Sequence, residues 1–302
     1  MDWTTECRLC PRACGADRIV GRGRCGASAV TEVSKIMLHV WEEPPISGQN
    51  KSRGSGAIFF THCSLGCAYC QNGKISRSSS SGVLYAPEAL ADEMLSLEAK
   101  GAYNINCVSP THYSDRIAKT VRIARQRGLK LPIVWNTGGY ELPEVIKSLD
   151  GVVDIFLTDF KYVSHELAGL YSSAPDYPEV ASAALRVMFE LVKSPVYGDD
   201  GMLKKGVIVR HLVLPSHKDD SIAVLHKIAE VVPPNEILLS LMAQYTPDFL
   251  PCVSDLPDKY EKIRRKITTY EYDKVAAEAV SLGFDGFMQE RSSATKRFTP
   301  DF

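Results

Sequence analysis

The chain has 302 residues, of which 45% are hydrophobic and 24% charged, and its formal net charge is −1. This composition is that of a globular protein, and the near-neutral charge gives no indication of a nucleic acid or an anionic membrane as a partner. The N-terminal stretch MDWTTECRLC lacks the basic and apolar segments of a secretory signal, and no apolar run is long enough for a transmembrane helix, so we expect a cytoplasmic protein.

The first segment, residues 1–34, is rich in cysteine, arginine and glycine and has little hydrophobic periodicity. Its four cysteines have the spacing C-x2-C-x3-C-x10-C and are Cys7, Cys10, Cys14 and Cys25. Four thiolates close a tetrahedron around structural zinc or iron, and a second 4Fe–4S cluster that relays electrons is the alternative. We therefore predict a small N-terminal cysteine-rich metal-binding lobe. Five arginines surround these cysteines, either as a solvated face or as a docking patch for an acidic electron donor: Arg8, Arg12, Arg18, Arg22 and Arg24.

The second segment, residues 35–302, alternates predicted strands and helices around a loop predicted at 44–56. Strands are predicted at 35–43, 57–61, 105–108, 132–136, 153–158, 207–214, 237–242 and 284–288. Helices are predicted at 87–99, 115–127, 143–148, 180–192, 221–231 and 273–282. Most of the strands are continuous apolar runs, as in parallel strands buried on both faces. The alternation predicts an α/β fold, and the number of repeats favours a partial (β/α)6 TIM-type barrel over a doubly wound sheet.

Polar and ring-bearing side chains follow most of the predicted strands. They are Cys63, Ser109–His112, Trp135–Gly139, Thr158–Lys161, Pro215–His217 and Gln244–Tyr245. In a βα barrel the chemistry lies at the carboxyl ends of the strands, so these residues indicate an active site at one rim.

Three cysteines with the spacing C-x3-C-x2-C follow the first parallel strand, in THCSLGCAYCQN: Cys63, Cys67 and Cys70. A reducing compartment disfavours disulfides, and a structural zinc site would need a fourth ligand nearby. Cys107 is a candidate for that ligand, but it lies within a predicted strand, where its side chain belongs to the core. A cluster held by three cysteines leaves one iron with an open coordination position, which is a catalytic arrangement.

This motif, with Tyr69 before its last cysteine, resembles the signature of the radical S-adenosylmethionine (SAM) superfamily. Asp159-Phe160-Lys161, residues 207–215 and Cys70-Gln71-Asn72 resemble segments of pyruvate formate-lyase activating enzymes. The N-terminal Cys-x2-Cys-Pro opening resembles the activating-enzyme-like branch, the X-type paralogue. The resemblance extends over roughly residues 55–290, and the cysteine motif is its most specific part.

The resemblance implies an enzyme with a 4Fe–4S cluster on Cys63, Cys67 and Cys70, whose fourth iron is chelated by the amino and carboxylate groups of SAM. One-electron reduction by a partner such as flavodoxin or ferredoxin would cleave SAM to a 5′-deoxyadenosyl radical, which abstracts hydrogen from a substrate. Lys161, supported by Asp159, would bind the methionine carboxylate. Asn136 and Thr137 would bind the ribose or the amino acid group.

One stretch departs from the superfamily pattern, in which Gly-Gly-Glu at the end of the second strand contacts the methionine amino group. Here the stretch is Ser-Pro-Thr-His-Tyr, 109–113. The amino group would then be bound by backbone carbonyls, Ser109 or Thr111, unless His112 faces the substrate instead. Arg210 and His211 alternate on the fifth strand, so only one of them points into the barrel, where a basic residue would suit an anionic or polar ligand. His112 and Arg210 are the candidate catalytic residues.

Three functional hypotheses follow. The enzyme could abstract hydrogen from a glycyl-radical-type protein or a peptide, or it could modify a small molecule. A non-catalytic zinc-binding scaffold is the third hypothesis, which would require closed sites at both cysteine groups.

Overall fold

The computed structural model describes residues 5–50, 52–77, 81–250, 258–289 and 300. The strands are β1 (Thr31–His39), β2 (Gly54–Phe60), β3 (Val83–Tyr85), β4 (Ala102–Val108), β5 (Ile133–Thr137), β6 (Ile155–Asp159), β7 (Val196–Tyr197), β8 (Leu203–Leu212), β9 (Leu238–Met242) and β10 (Asp285–Met288). The helices are α1 (Pro44–Ser47), α2 (Gly73–Ser76), α3 (Pro87–Ala99), α4 (Ser114–Gln126), α5 (Pro143–Lys147), α6 (His165–Ser172), α7 (Tyr177–Val192), α8 (Lys218–Val231) and α9 (Thr269–Ser281).

A mostly parallel sheet organises the chain, with the strand order β10-β9-β8-β6-β5-β4-β2-β1-β3. Every neighbouring pair from β2 to β10 along this path is parallel, whereas β1 is antiparallel to β2 and β3, and β7 is antiparallel to β8. Helices connect the parallel strands, as the alternating sequence pattern predicts. The prediction of an α/β fold is confirmed, and the arrangement is consistent with a partial barrel.

The two faces of the sheet have different neighbours. On one face, Trp135 and Phe156 belong to the main core together with buried side chains of the helices, such as Leu90 and Leu185. On the other face, residues one position away in the same strands form a smaller apolar cluster around Ile46 of α1. Because side chains alternate along a strand, this inner face also presents every second residue at the carboxyl ends.

The segment at 44–56, predicted as a loop, contains α1 and the start of β2. Pro44 is at the first position of α1, where its missing N–H and fixed φ suit a helix start. Gly56 lies in β2, where a Cβ atom would be 2.8 Å from the carbonyl oxygen of Asn104. The glycines that predict a loop are therefore required by close approach of neighbouring strands, and Ile46 is anchored by complete burial.

Residues 5–30 contain turns but no helix or strand, and β1 begins at Thr31, before the boundary expected between residues 34 and 35. The division into a lobe at 1–34 and a barrel at 35–302 therefore stays a prediction. Among the described residues, no helix combines the length and apolar character needed to cross a bilayer.

Candidate active site

The three-cysteine loop, residues 61–72, runs from the carboxyl end of β2 to α2. Its three thiols line one cavity of about 290 Å³ at the inner face of the sheet. Each sulfur accepts a hydrogen bond: Cys63 from a backbone N–H at 3.5 Å, Cys67 from a hydroxyl at 3.0 Å and Cys70 from a hydroxyl at 3.5 Å. The donors are Leu65, Ser172 and Ser76, respectively.

The chemistry of the three thiols fits the binding of a positively charged iron–sulfur core. Burial raises the pKa of the Cys63 thiol to about 12, and burial also raises that of Cys67 despite the nearby Lys161 ammonium. Buried thiols lose their protons readily only when a positive centre replaces the lost hydration, as an iron–sulfur cluster does. Across the described ranges, however, no three or more His, Cys, Asp or Glu side chains are arranged to hold a metal ion as they stand. The assignment of Cys63, Cys67 and Cys70 as cluster ligands therefore stays a prediction.

An ion pair between Lys161 and Asp159, the last residue of β6, lies beside these thiols. Tyr177 of α7 fixes the backbone here, because its hydroxyl contacts the carbonyls of Gly138 and Asp159 at 2.9 and 3.0 Å and accepts the N–H of Lys161 at 3.0 Å. Gly139, the residue after Gly138, has φ +79°, and a Cβ atom there would be 2.2 Å from the Asp159 carbonyl oxygen. The ends of β5 and β6 are thus held together at the cavity rim.

Glu141 is a fully buried carboxyl behind the ends of β4 and β5. One of its oxygens, Oε1, accepts hydrogen bonds from the hydroxyls of Thr111 (2.7 Å) and Thr137 and from the indole of Trp135 (3.3 Å). The other, Oε2, is buried without a partner. Burial raises the pKa of Glu141 to about 7, although these donors act to lower it. Sequence reasoning missed Glu141; the signal was an acidic residue in the Trp-Asn-Thr-Gly-Gly-Tyr-Glu segment that follows a buried strand.

A second cavity of about 10 Å³, the size of a single water, adjoins the first. Ser109, Thr137 and Gly138 line both cavities, whereas Thr111 and His112 line only the small one. The structure therefore brings the predicted residues Ser109, Thr111 and Thr137 together beside Cys63.

His112 has a different environment from the other site candidates. Its Nε2 lies 2.8 Å from the Thr61 carbonyl oxygen, and its ring centroid is 4.3 Å from that of Tyr113. Burial lowers the pKa of His112 to about 3, so the imidazole is neutral. Its role as a catalytic residue stays a prediction.

The polar floor of the large cavity comprises Glu42, Glu43, Asn136 and Arg210. Arg210 of β8 faces this cavity, while the next residue, His211, turns to the opposite face and contacts the Phe160 carbonyl at 2.7 Å. The guanidinium of Arg210 donates to both oxygens of Glu43, at 2.6 and 2.7 Å, and to Glu42. Arg210 is therefore the inward basic residue of this strand, and two carboxylates neutralise it; its catalytic role stays a prediction.

Two arginines attach the N-terminal segment to the site. Arg12 donates from Nε to the carbonyl of Ser64 at 2.9 Å, and to the carbonyls of Ser172, at the end of α6, and Ser173. Arg18 is buried and donates to the His112 carbonyl at 2.7 Å. The solvated face expected from the sequence therefore holds for Arg8, Arg22 and Arg24, which are exposed, but not for Arg12 and Arg18.

The four N-terminal thiols are neighbours. A Cβ atom at Gly23 would lie 3.4 Å from the sulfur of Cys25 and 3.7 Å from that of Cys14. Burial acts to raise the pKa of Cys14, but hydrogen bonds from the backbone and from the Cys7 thiol lower it overall. Burial raises the pKa of Cys10 to about 12. A metal at this place stays a prediction.

Comparisons with known proteins place this geometry in a family. The model of the Radical SAM superfamily matches residues 57–229. A relative described as the uncharacterized protein MJ0674 of Methanocaldococcus jannaschii is 28% identical over 292 residues, which cover 93% of this chain and 76% of that protein.

Two solved structures are also similar. A radical SAM methyltransferase from Sphaerobacter thermophilus aligns with TM-score 0.50 and 14% identity over 78% of this chain and 66% of its own, so the chain spans slightly less than two thirds of that protein. Methylornithine synthase (PylB) aligns with TM-score 0.49 and 14% identity over 75% and 61%. At this identity the likeness to the methyltransferase concerns the fold alone. Since the family match extends over more than half of the chain, the protein belongs to the Radical SAM superfamily and is an enzyme.

Proposed function

We propose that Cys63, Cys67 and Cys70 hold a 4Fe–4S cluster and that SAM binds beside it in the large cavity. The observation that carries the proposal is that the three thiols of the C-x3-C-x2-C motif line one cavity with Asp159 and Lys161. When bound, the cluster and SAM supply a 5′-deoxyadenosyl radical that abstracts hydrogen from a substrate. The chain's own side chains bind and orient the ligands and limit the access of water.

The Lys161 ammonium is a partner for the methionine carboxylate, with Asp159 restricting its position. Both side chains are largely buried, so this interaction is weakly screened by water. The Tyr177 hydroxyl fixes the backbone beneath them and so keeps the ion pair at the rim. Asn136, which lines the same cavity, is a hydrogen-bond partner for the ribose or the amino acid group.

The small cavity suits the methionine amino group in the absence of Gly-Gly-Glu. The hydroxyls of Thr111 and Thr137 donate their protons to Glu141, so towards a ligand they act as acceptors. An ammonium group is about the size of a water and carries only donors. Ser109, between these residues and Cys63, completes the group that would receive it.

Within the Radical SAM superfamily, the proposal assigns the protein to the pyruvate formate-lyase activating-enzyme-like branch. It rests on the resemblance of Asp159-Phe160-Lys161 and residues 207–215, and it favours a glycyl-radical-type protein or a peptide as substrate over a small molecule. A low-potential donor such as flavodoxin or ferredoxin supplies the electron. In this proposal Cys7, Cys10, Cys14 and Cys25 bind zinc or iron, in support of which their thiols lie close together.

Anaerobic reconstitution tests the cluster assignment. We expect the wild-type protein to bind iron and sulfide with a 4Fe–4S spectrum and to cleave SAM to 5′-deoxyadenosine under a strong reductant. Replacing Cys63, Cys67 or Cys70 with alanine should abolish both properties. Cys107→Ala is the matched control, because Cys107 is fully buried in the main core, away from the cavity. Equal cluster loss in all four variants, or a wild-type protein that binds zinc instead of iron at the loop, would contradict the assignment.

A further inference from the structure

The floor of the large cavity carries more negative than positive charge. Among the described residues that line the cavity, the carboxylates are Glu42, Glu43 and Asp159, and the cations are Lys161 and Arg210. His39 also lines the cavity; burial lowers its pKa, and the Arg210 charge lowers it further although Glu42 opposes this, so the imidazole is neutral. Apart from its thiols, the cavity wall therefore has a net charge of −1.

Glu42 is the source of the excess charge. Lys161 is paired with Asp159, and Glu43 occupies Nε and one terminal nitrogen of Arg210 as a bidentate partner. Glu42 shares that terminal nitrogen, and its other oxygen accepts amide hydrogens from Asn106 at 3.1 Å and from Asn136 at 3.3 Å. Glu42 is thus a second carboxylate, held by two amides, in a place where one would balance the arginine.

Asn106 supports Glu42 from beneath the floor. It is fully buried and does not line the cavity, and its amide nitrogen donates to Glu42 at 3.1 Å. A ligand that balances the charge of the floor must therefore bring positive charge.

We propose that the substrate carries an ammonium or guanidinium group that is recognised by Glu42 at the cavity floor. This inference rests on the proposed function, because it places the substrate opposite the three thiols in the same cavity. An anionic substrate would have to break the bidentate pair of Arg210 with Glu43. Phe59 and Phe287 line the cavity and suit the hydrocarbon stem of a cationic group.

SAM itself has an ammonium group, so the test must separate it from the substrate. S-adenosylhomocysteine has the amino acid group, and methylthioadenosine lacks it. Binding of both to cluster-loaded protein is measured by calorimetry for the wild type and for Glu42→Gln. We expect no change for either ligand. A selective loss of S-adenosylhomocysteine binding would assign Glu42 to SAM and overturn the proposal.

The substrate arm uses pentylamine, butylguanidine and pentanoate as probes on cluster-loaded protein saturated with S-adenosylhomocysteine. We expect the two cations to bind and pentanoate not to bind. Glu42→Gln should weaken cation binding by about tenfold or more, whereas Glu42→Asp keeps the preference for cations. Glu144→Gln, on the exposed side of α5, is the matched control and should behave as wild type.

The two proposals fail in different ways. If the wild-type protein binds pentanoate as well as the amines, binds no cation, or shows no effect of Glu42→Gln, the substrate proposal is wrong while the cluster assignment stands. If the wild-type protein loads no iron, the proposed function fails first. Iron content and circular dichroism of each variant show whether it has folded, and Glu42→Asp decides the question if the glutamine variant has not.

Discussion

Replacing Glu141 with glutamine tests whether this buried carboxyl, behind the small cavity, is protonated. Glutamine keeps the carbonyl oxygen that accepts from Thr111, Thr137 and Trp135, and its amide nitrogen replaces the oxygen that has no partner. The substitution therefore preserves shape and acceptor while removing the ability to ionise.

The magnitude follows from the pKa of Glu141, which burial raises from an ordinary 4.5 to about 7. Between these values the unfolded chain has lost the proton and the folded chain retains it, so stability decreases as the pH rises. Each pH unit in this window changes the unfolding free energy by about 1.4 kcal/mol, which gives a total near 3 kcal/mol. Below the window both states are protonated and the two proteins differ little. Above it, we expect the glutamine variant to be more stable than the wild type by about 3 kcal/mol.

Urea unfolding of the two cluster-free proteins, followed by circular dichroism from about pH 4.5 to about pH 8, measures this difference. Other titrating groups are common to both proteins and cancel in the comparison. Glu144→Gln controls for the loss of an exposed carboxylate. If the difference between wild type and Glu141→Gln is the same at every pH, Glu141 does not titrate in this window and the reasoning is refuted.

Three further predictions concern packing and capping. Gly139→Ala should destabilise the fold by about 3 kcal/mol, because the new Cβ atom would clash with the Asp159 carbonyl. Gly128→Ala is the control and should cost about 1 kcal/mol, because Gly128 has φ +105° but no atom within 4 Å of the added Cβ. Equal urea midpoints for the two variants would contradict this. Arg12→Ala should lower the unfolding free energy by about 2 kcal/mol and speed the loss of iron to a chelator, because the carbonyls of the three-cysteine loop lose their hydrogen-bond donor. An unchanged rate of iron loss would refute the connection between Arg12 and the loop. Thr268→Ala removes the capping box of α9 and should cost about 1 kcal/mol in urea unfolding, and no loss would show that the cap is dispensable.

Local patterns allowed much of the fold to be predicted. Continuous apolar runs predicted the parallel strands, because a strand that is buried on both faces has apolar residues at successive positions. The helix predicted at 87–99 has the bounds of α3, and the helix at 115–127 differs from α4 by one residue at each end. The rule that polar residues gather at strand ends led to Thr111 and Thr137, which do meet behind Cys63.

Contacts between distant segments could not be predicted in the same way. Arg210 and Glu42 are separated by 168 positions, so the sequence showed an inward base but not the two acids that neutralise it. Glu42 was predicted within a strand at 35–43, whereas β1 ends at His39 and leaves Glu42 beyond it. The next segment, 44–56, was predicted as a loop because its prolines and glycines outweigh one buried isoleucine, Ile46. Glu141 was missed for a related reason: a carboxyl at a strand end is more often solvated than buried.

The arginine that fastens the N-terminal segment to the three-cysteine loop has a consequence for biosynthesis. The Ser172 and Ser173 carbonyls that Arg12 contacts are made about 160 residues after Arg12 itself. At a translation rate of about 5–20 residues per second, the segment waits on the order of ten seconds or more before its docking site exists. If Cys7, Cys10, Cys14 and Cys25 bind a metal as proposed, they would meet the cellular pools of zinc and iron during that interval. The choice of metal would then depend on what is available during synthesis, before the docking site of Arg12 exists.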